Sequence, residues 1–251
     1  PYNDTEFCVN QVYSLVFFKD VFATGAGSIS DGNRAIIPAH TKSKKDNFSV
    51  YIEEQKSTIQ ITHFYLYYYA HFITDFLVML QSIPSQILKV SSIIISHIPD
   101  AYLDMFDALD VPITSIVQLA SGQYVFSRNL YTTIPFPRYN INCRNVQKLR
   151  AILVKFFDLD KEPPTLYILH QRSSEHRQFV NLEEIQTFLK NKFPNITFMT
   201  VGDITGIKEQ AKLYNKAKLV FRFHGSTNAN VIFQQKGTAL CEIMVNHYDP
   251  C

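Results

Sequence analysis

The sequence predicts an α/β protein in two halves, each a parallel sheet covered by helices. Three observations carry this. Short apolar runs of strand length alternate with segments of helical periodicity. The alternation is broken by the polar, Pro-rich stretch Asp158-Leu159-Asp160-Lys161-Glu162-Pro163-Pro164 and then repeats. Finally, 251 residues that are 46% hydrophobic can bury one large core or two of modest size. The region from Pro135 to Pro164 reads as the passage between the halves, with domains at 1–145 and 146–251.

The elements follow in order. Residues 1–50 hold a strand or two within Val12–Phe22, and Gly25, Gly27, Asp31, Gly32 and Asn33 mark turns. Tyr67–Leu80 is the best helix of the first half, with Phe72, Ile73, Phe76, Leu77 and Leu80 forming a buried stripe and Pro84 beyond its end. Ser92–Ser96 is a buried strand, Ala101–Leu109 a helix, Ile113–Leu119 a strand, and Tyr124–Ile134 strand with turns. Asn145–Phe157 is an amphipathic helix. The second half then runs strand Thr165–Leu169, helix Leu182–Asn191, strand Ile196–Val201, helix Ile207–Ala217, strand Leu219–Phe223, helix Asn228–Phe233 and strand Ala239–Ile243.

Composition narrows the function classes. The formal charge is +2, from 24 basic and 22 acidic residues, and no basic run beyond Lys42–Lys45 stands out, so nucleic-acid binding has no support. No stretch reaches the roughly 18 unbroken apolar residues of a membrane span. The chain opens with Pro1 rather than Met, as would a processed or trimmed piece that has lost a membrane anchor. Acceptor sequons at Asn3, Asn47 and Asn195 lean toward the secretory pathway. Cysteines 8, 143, 241 and 251 lie too far apart for a zinc finger, leaving one or two disulfides of unassigned pairing.

The chemistry concentrates in Leu219–Ile243. A strand that ends in His224-Gly225-Ser226-Thr227 before a helix puts turn backbone and free helix N–H groups at the carboxyl end of a sheet, a placement that favours phosphate. Gly225 permits a tight or left-handed turn and close approach of a ligand. His224 can donate a ring N–H, and Ser226 and Thr227 are natural N-caps. The alternative is a plain turn over a satisfied histidine. After the first strand of this half come His170, Arg172, His176 and Arg177, cations that would face the same crevice, or else a solvated loop. In the first half His71 and Asp75, four apart on a helix, are either the acid–base pair of a reaction or a surface pair.

Together these residues resemble glycosyltransferase family 61. The similarity runs through Arg172, Arg177 and Asn181, then Glu209-Gln210, then the His224-Gly225 turn with Asn230, and on through Phe233, Gly237-Thr238 and Glu242. In the first half His71-Phe72-Ile73-Thr74-Asp75 resembles the family's His-x-x-x-Asp/Glu helix. Arg222-Phe223 and Ser226-Thr227 depart from the family's smaller residues around the His-Gly pair. The resemblance implies a GT-B-like fold of two Rossmann-like halves facing across a cleft, and inverting transfer from a nucleotide-sugar, UDP-linked, to a hydroxyl of a glycan or glycoprotein. It implies Asp75 and His71 as the catalytic pair, and Arg172, Arg177, His224, Gly225, Ser226, Thr227, Asn230 and Glu242 as donor-binding residues. Glu242 would reach the ribose or simply close the second half. It implies neither a metal nor a cofactor beyond the co-substrate, and a site of action in the Golgi or endoplasmic reticulum lumen. The alternative is a degenerate transferase fold that binds nucleotide or glycan without turnover.

Overall fold

The computed structural model describes residues 14–36, 48–61, 65–134, 143–159, 161–172 and 177–244. Cys8, Cys251, His176 and the sequons at Asn3 and Asn47 lie outside them. The chain divides into two compact units, Pro1–Ile152 and Leu153–Cys251.

In the first unit, strand β1 (Ser14–Thr24) is followed by β2 (Ile29–Ser30), β3 (Ala35–Ile36), β4 (Val50–Gln55), β5 (Thr58–Ile59), β6 (Ser92–Ser96), β7 (Ile116–Leu119) and β8 (Gln123–Ile134). They form one sheet in the order β3-β2-β1-β8-β5-β6-β7, with β4 also paired to β8. β8, β5, β6 and β7 run parallel, but β1 pairs β8 antiparallel from Ser14↔Ile134 to Thr24↔Tyr124, and β2 and β3 extend it as a meander. The expected all-parallel sheet is thus corrected to a mixed one. Tight turns that include Gly27 and Gly32, both at positive φ, join the antiparallel strands, which need no helical crossover.

Ile93, Ile94 and Ile95 of β6 are fully buried. The helix over residues 69–80 is α over Tyr69–His71, π over Phe72–Leu77 and α again over Val78–Leu80. Rather than showing one buried stripe, it is buried at every position from Phe72 to Leu80 except Thr74. Phe72 and Phe76 pack with Phe106 to anchor it.

The second unit alternates regularly after the helix Cys143–Phe156, which carries the chain over the boundary. Strand β9 (Leu166–His170), helix Leu182–Lys192, β10 (Phe198–Val201), helix Ile207–Asn215, β11 (Ala217–Phe223), a 3₁₀ helix Ser226–Phe233 and β12 (Ala239–Ile243) follow in turn. The sheet is parallel throughout, in the order β10-β9-β11-β12. The chain winds outward from β9 to β10 and then returns to the other side of β9 as β11. The carboxyl ends of β9 and β11 therefore flank a topological switch point, where open α/β sheets bind ligands. In-register pairing sets Val201, His170, Arg222 and Glu242 in one row at that end.

Candidate functional site

At the switch point, β9 leads through His170 to Arg172, and β11 leads through Phe223 to His224-Gly225. Gly225 has φ 165° and ψ 171°, an extended conformation open to any residue, so the left-handed turn expected there is corrected. The space beside it is close but not closed: a Cβ would stand 3.0 Å from the end of the Arg172 side chain at Nη1 and 3.9 Å from Arg222 Nη2. Gly225 is also the residue that caps the 3₁₀ helix, without a side-chain bond, and Ser226 and Thr227 occupy its first positions rather than capping it. Their N–H groups belong to the set that has no acceptor within a helix, and the dipole there favours an anion.

His224 is fixed on three sides. Its backbone N–H donates to Ile243 O at 3.0 Å, its Nδ1 lies 2.6 Å from Glu242 Oε1, and its carbonyl accepts from Arg177 Nη1 at 3.4 Å. Glu242 also accepts from Asn228 Nδ2. Glu242 is exposed, so its bonds to His224 and Asn228 are not the buried closing bond expected of it. Arg177 adopts φ 58°, a left-handed conformation that costs a non-glycine residue about 1–2 kcal/mol, and it turns the guanidinium toward the His224 carbonyl. Asn230 is fully buried and donates to Gln210 Oε1 at 2.7 Å, so it braces the 3₁₀ helix on helix Ile207–Asn215 instead of facing a ligand.

Beneath the turn lies a buried polar chain. Arg222 Nη1 donates to Tyr214 Oη at 2.8 Å, and Tyr214 Oη lies 2.8 Å from His170 Nδ1. With the tyrosine hydrogen on His170 Nδ1, His170 Nε2–H points to Asp203 Oδ1 at 3.3 Å. His170 is therefore a buried neutral histidine, not a cation facing the crevice. Burial first, and the Arg222 charge second, push its pKa below the ordinary 6.5, against the opposing pull of Asp203. Burial also raises the Tyr214 pKa and lowers that of Arg222.

This shift makes stability depend on pH. Below pH 6.5 the unfolded chain takes up a proton at this position more readily than the folded one does, so stability rises with pH through that window and is lost as pH falls. In thermal unfolding between pH 7.5 and 5, His170→Gln is expected to show a shallower loss than wild type. The difference is at most about 1.4 kcal/mol per pH unit, one proton's worth. Identical slopes would show that His170 does not titrate between the two states.

In the first unit, His71 Nδ1 and Asp75 Oδ2 are 2.7 Å apart, and Asp75 Oδ1 accepts from Thr74 Oγ1 at 2.8 Å. The Asp75 side chain is 10% exposed and that of His71 23%, so the pair is mostly buried rather than a solvated surface pair. Asp75 sits within the π-helical turn, a local irregularity found often at functional sites. The ring of Tyr65 stacks on His71 with centroids 5.5 Å apart.

Residues 69–241 match the family described as Glycosyltransferase 61. The chain belongs to the glycosyltransferase 61 family. The match opens on the helix that carries His71 and Asp75 and runs into β12, so it covers both residue clusters described above except Tyr65, Glu242 and Ile243. No curated protein matches the chain. Membership places this protein among sugar transferases, and the resemblance read from Arg172, Arg177 and the His224-Gly225 turn is confirmed. The structure brings Arg172, Arg177, His224, Gly225 and Glu242 to one end of the second sheet. Among the described residues no group of three or more His, Cys, Asp or Glu side chains is placed to hold a metal ion.

Tyr214, Asp203, Asn228 and the burial of Arg222 escaped the sequence reading. Tyr214 carried a usable signal: with Ile207 and Ala211 it falls at i, i+4 and i+7 on the buried helix face, where a tyrosine hydroxyl must find a partner. Asn228 and Asp203 carried none, because their partners Glu242 and His170 are far off in sequence and are met only through the tertiary fold.

Proposed function

We propose that this member of the family is an inverting transferase that moves a sugar from a UDP-sugar to a hydroxyl of a glycan or glycoprotein. The observation that carries the reading is the gathering of Arg172, Arg177 and Arg222 around the His224-Gly225 turn, at a sheet switch point and a helix N-terminus. That end of the sheet offers an anion a concentration of positive charge in a partly desolvated setting. In this reading the two units are the acceptor and donor halves of a GT-B protein.

The chemistry follows from the His71–Asp75 pair. Asp75 holds Nδ1–H of His71, which makes Nε2 the nitrogen with the lone pair. Nε2 takes the acceptor hydroxyl proton while that oxygen attacks the anomeric carbon. The bond from the anomeric carbon to the diphosphate breaks, and its electron pair leaves with UDP. Asp75 balances the imidazolium, while Arg172 and Arg177 balance the departing diphosphate. The sugar carbon inverts because attack and departure occur on opposite faces.

A site of action in the secretory pathway is supported by the disulfide-bonded Cys143 and by the exposed sequon residue Asn195. No helix among the described residues is long and apolar enough to cross a membrane.

A second reading, binding without turnover, draws support from Ser226-Thr227, which add side chains beside the glycine turn. The two are separated by incubating the protein with a panel of UDP-sugars and glycan acceptors and reading the product by proton NMR. The proposal expects transfer with inverted anomeric configuration. Retained configuration would overturn the mechanism, and donor binding without any product would select the second reading.

A further inference from the structure

Arg222 is the largest fully buried side chain in the described chain. It enters the second unit's core as the sixth residue of β11, yet it makes no ion pair among the described residues. Nη1 is satisfied by Tyr214 Oη at 2.8 Å, and Nε donates to Phe223 O at 3.3 Å. Nη2 is buried and has no acceptor among the described residues. A guanidinium keeps its charge in proteins, and an unpaired buried charge is costly. The neighbouring charges relieve it only in part: Arg172 adds repulsion, and the attraction of Asp203, whose side chain is 45% exposed, is weaker than that repulsion. Burial holds its proton less firmly than usual.

The unpaired group lies near a defined place. The volume that a Cβ on Gly225 would fill lies 3.9 Å from Arg222 Nη2 and 3.0 Å from Arg172 Nη1, so two guanidiniums converge on the same side of one glycine. We infer that Arg222 is an anion-binding residue of the donor site, its Nη2–H donating, together with Arg172, to a phosphate oxygen seated over Gly225. This rests on the donor-site reading above and deepens it. The cost of the unpaired charge is carried by the free protein and relieved when a diphosphate arrives. An uncompensated cation thus serves binding at the expense of stability.

The two roles open to Arg222 make opposite predictions. A residue that only braces Tyr214 and His170 would, when replaced, lower stability, and any loss of affinity would extend to uridine. An anion-binding residue held at a cost should do otherwise when made neutral. For Arg222→Met, the thermal midpoint of the free protein is expected to stay or rise. Its affinities for UDP and for inorganic diphosphate, measured by calorimetry, should fall roughly tenfold or more, with uridine unaffected. Arg222→Gln, which keeps a donor for Tyr214, should show the same loss, and Arg222→Lys should recover part of it. Salt should weaken diphosphate binding less steeply in the neutral variants than in wild type. Wild-type binding of UDP matched within about twofold by a folded neutral variant would overturn the inference while leaving the donor site in place. A fall in stability together with uridine affinity would also overturn it, in favour of a brace. Failure of the wild type to bind UDP or diphosphate would instead defeat the donor-site reading on which the inference rests.

Discussion

Asp75→Asn is expected to lower sugar transfer by about 10²-fold or more while leaving UDP-sugar affinity nearly unchanged. The geometry makes Asp75 the group that orients the base. Its Oδ2 is 2.7 Å from His71 Nδ1, its Oδ1 is occupied by Thr74, and it is the less exposed partner. An asparagine in its place can present an N–H to Nδ1. That would shift the hydrogen to Nε2, the nitrogen the acceptor proton must reach, and would remove the charge that stabilises the imidazolium. Because donor contacts are assigned to the second unit, the loss should fall on kcat and spare KM for the donor. The competing expectation comes from burial. If the pair only braces the π-helical turn, the substitution should lower the thermal midpoint and leave activity per folded molecule intact. Full activity with normal stability would contradict both.

Arg172→Ala should weaken UDP binding by roughly 1.5–3 kcal/mol, the range for hydrogen bonds that involve a charged group, or about tenfold to a hundredfold and more in Kd. The substitution is a clean one. Among the described residues Arg172 makes no hydrogen bond or ion pair, so truncation leaves no buried partner orphaned and the thermal midpoint of the free protein should hold. Arg177 is a less clean test, since its left-handed backbone and its bond to the His224 carbonyl help to shape the turn. Unchanged UDP affinity in Arg172→Ala, measured by calorimetry, would remove Arg172 from the site.

The second unit was largely legible because its signals were local and agreed with one another. Apolar runs such as Leu219–Phe223 and Ala239–Ile243 lie between helices of clear periodicity, and that alternation leads to a parallel sheet, with its ligand end at the strands' carboxyl termini. In the first unit the pairing of β1 with β8 joins residues a hundred or more positions apart, and no local pattern encodes such a partnership. Apolar periodicity placed the helix over 69–80 but not its π-turn, which depends on a shifted hydrogen-bond register. Within the site, the convergence of Arg172, Arg177 and His224 followed from topology. What the sequence withheld was the third dimension of the row at the strand ends. His170 reads along the chain as a crevice cation and Arg222 as part of an apolar run, yet their strand register turns both inward, where one becomes neutral and the other stays charged with no ion pair among the described residues. At Gly225 the positive φ is absent, and the group found close to it is the Arg172 side chain, a long-range neighbour that no local pattern announces.

The carboxyl end of the β9–β11 pair is proposed here as a nucleoside diphosphate site. Its most direct test is a calorimetric titration of UDP into the wild-type protein, with inorganic diphosphate as competitor and Arg172→Ala in parallel. Saturable binding of one UDP per chain is expected, competed away by diphosphate and weakened in Arg172→Ala. Contradiction would come from UDP producing no binding heat, or from binding that neither diphosphate nor the loss of Arg172 disturbs.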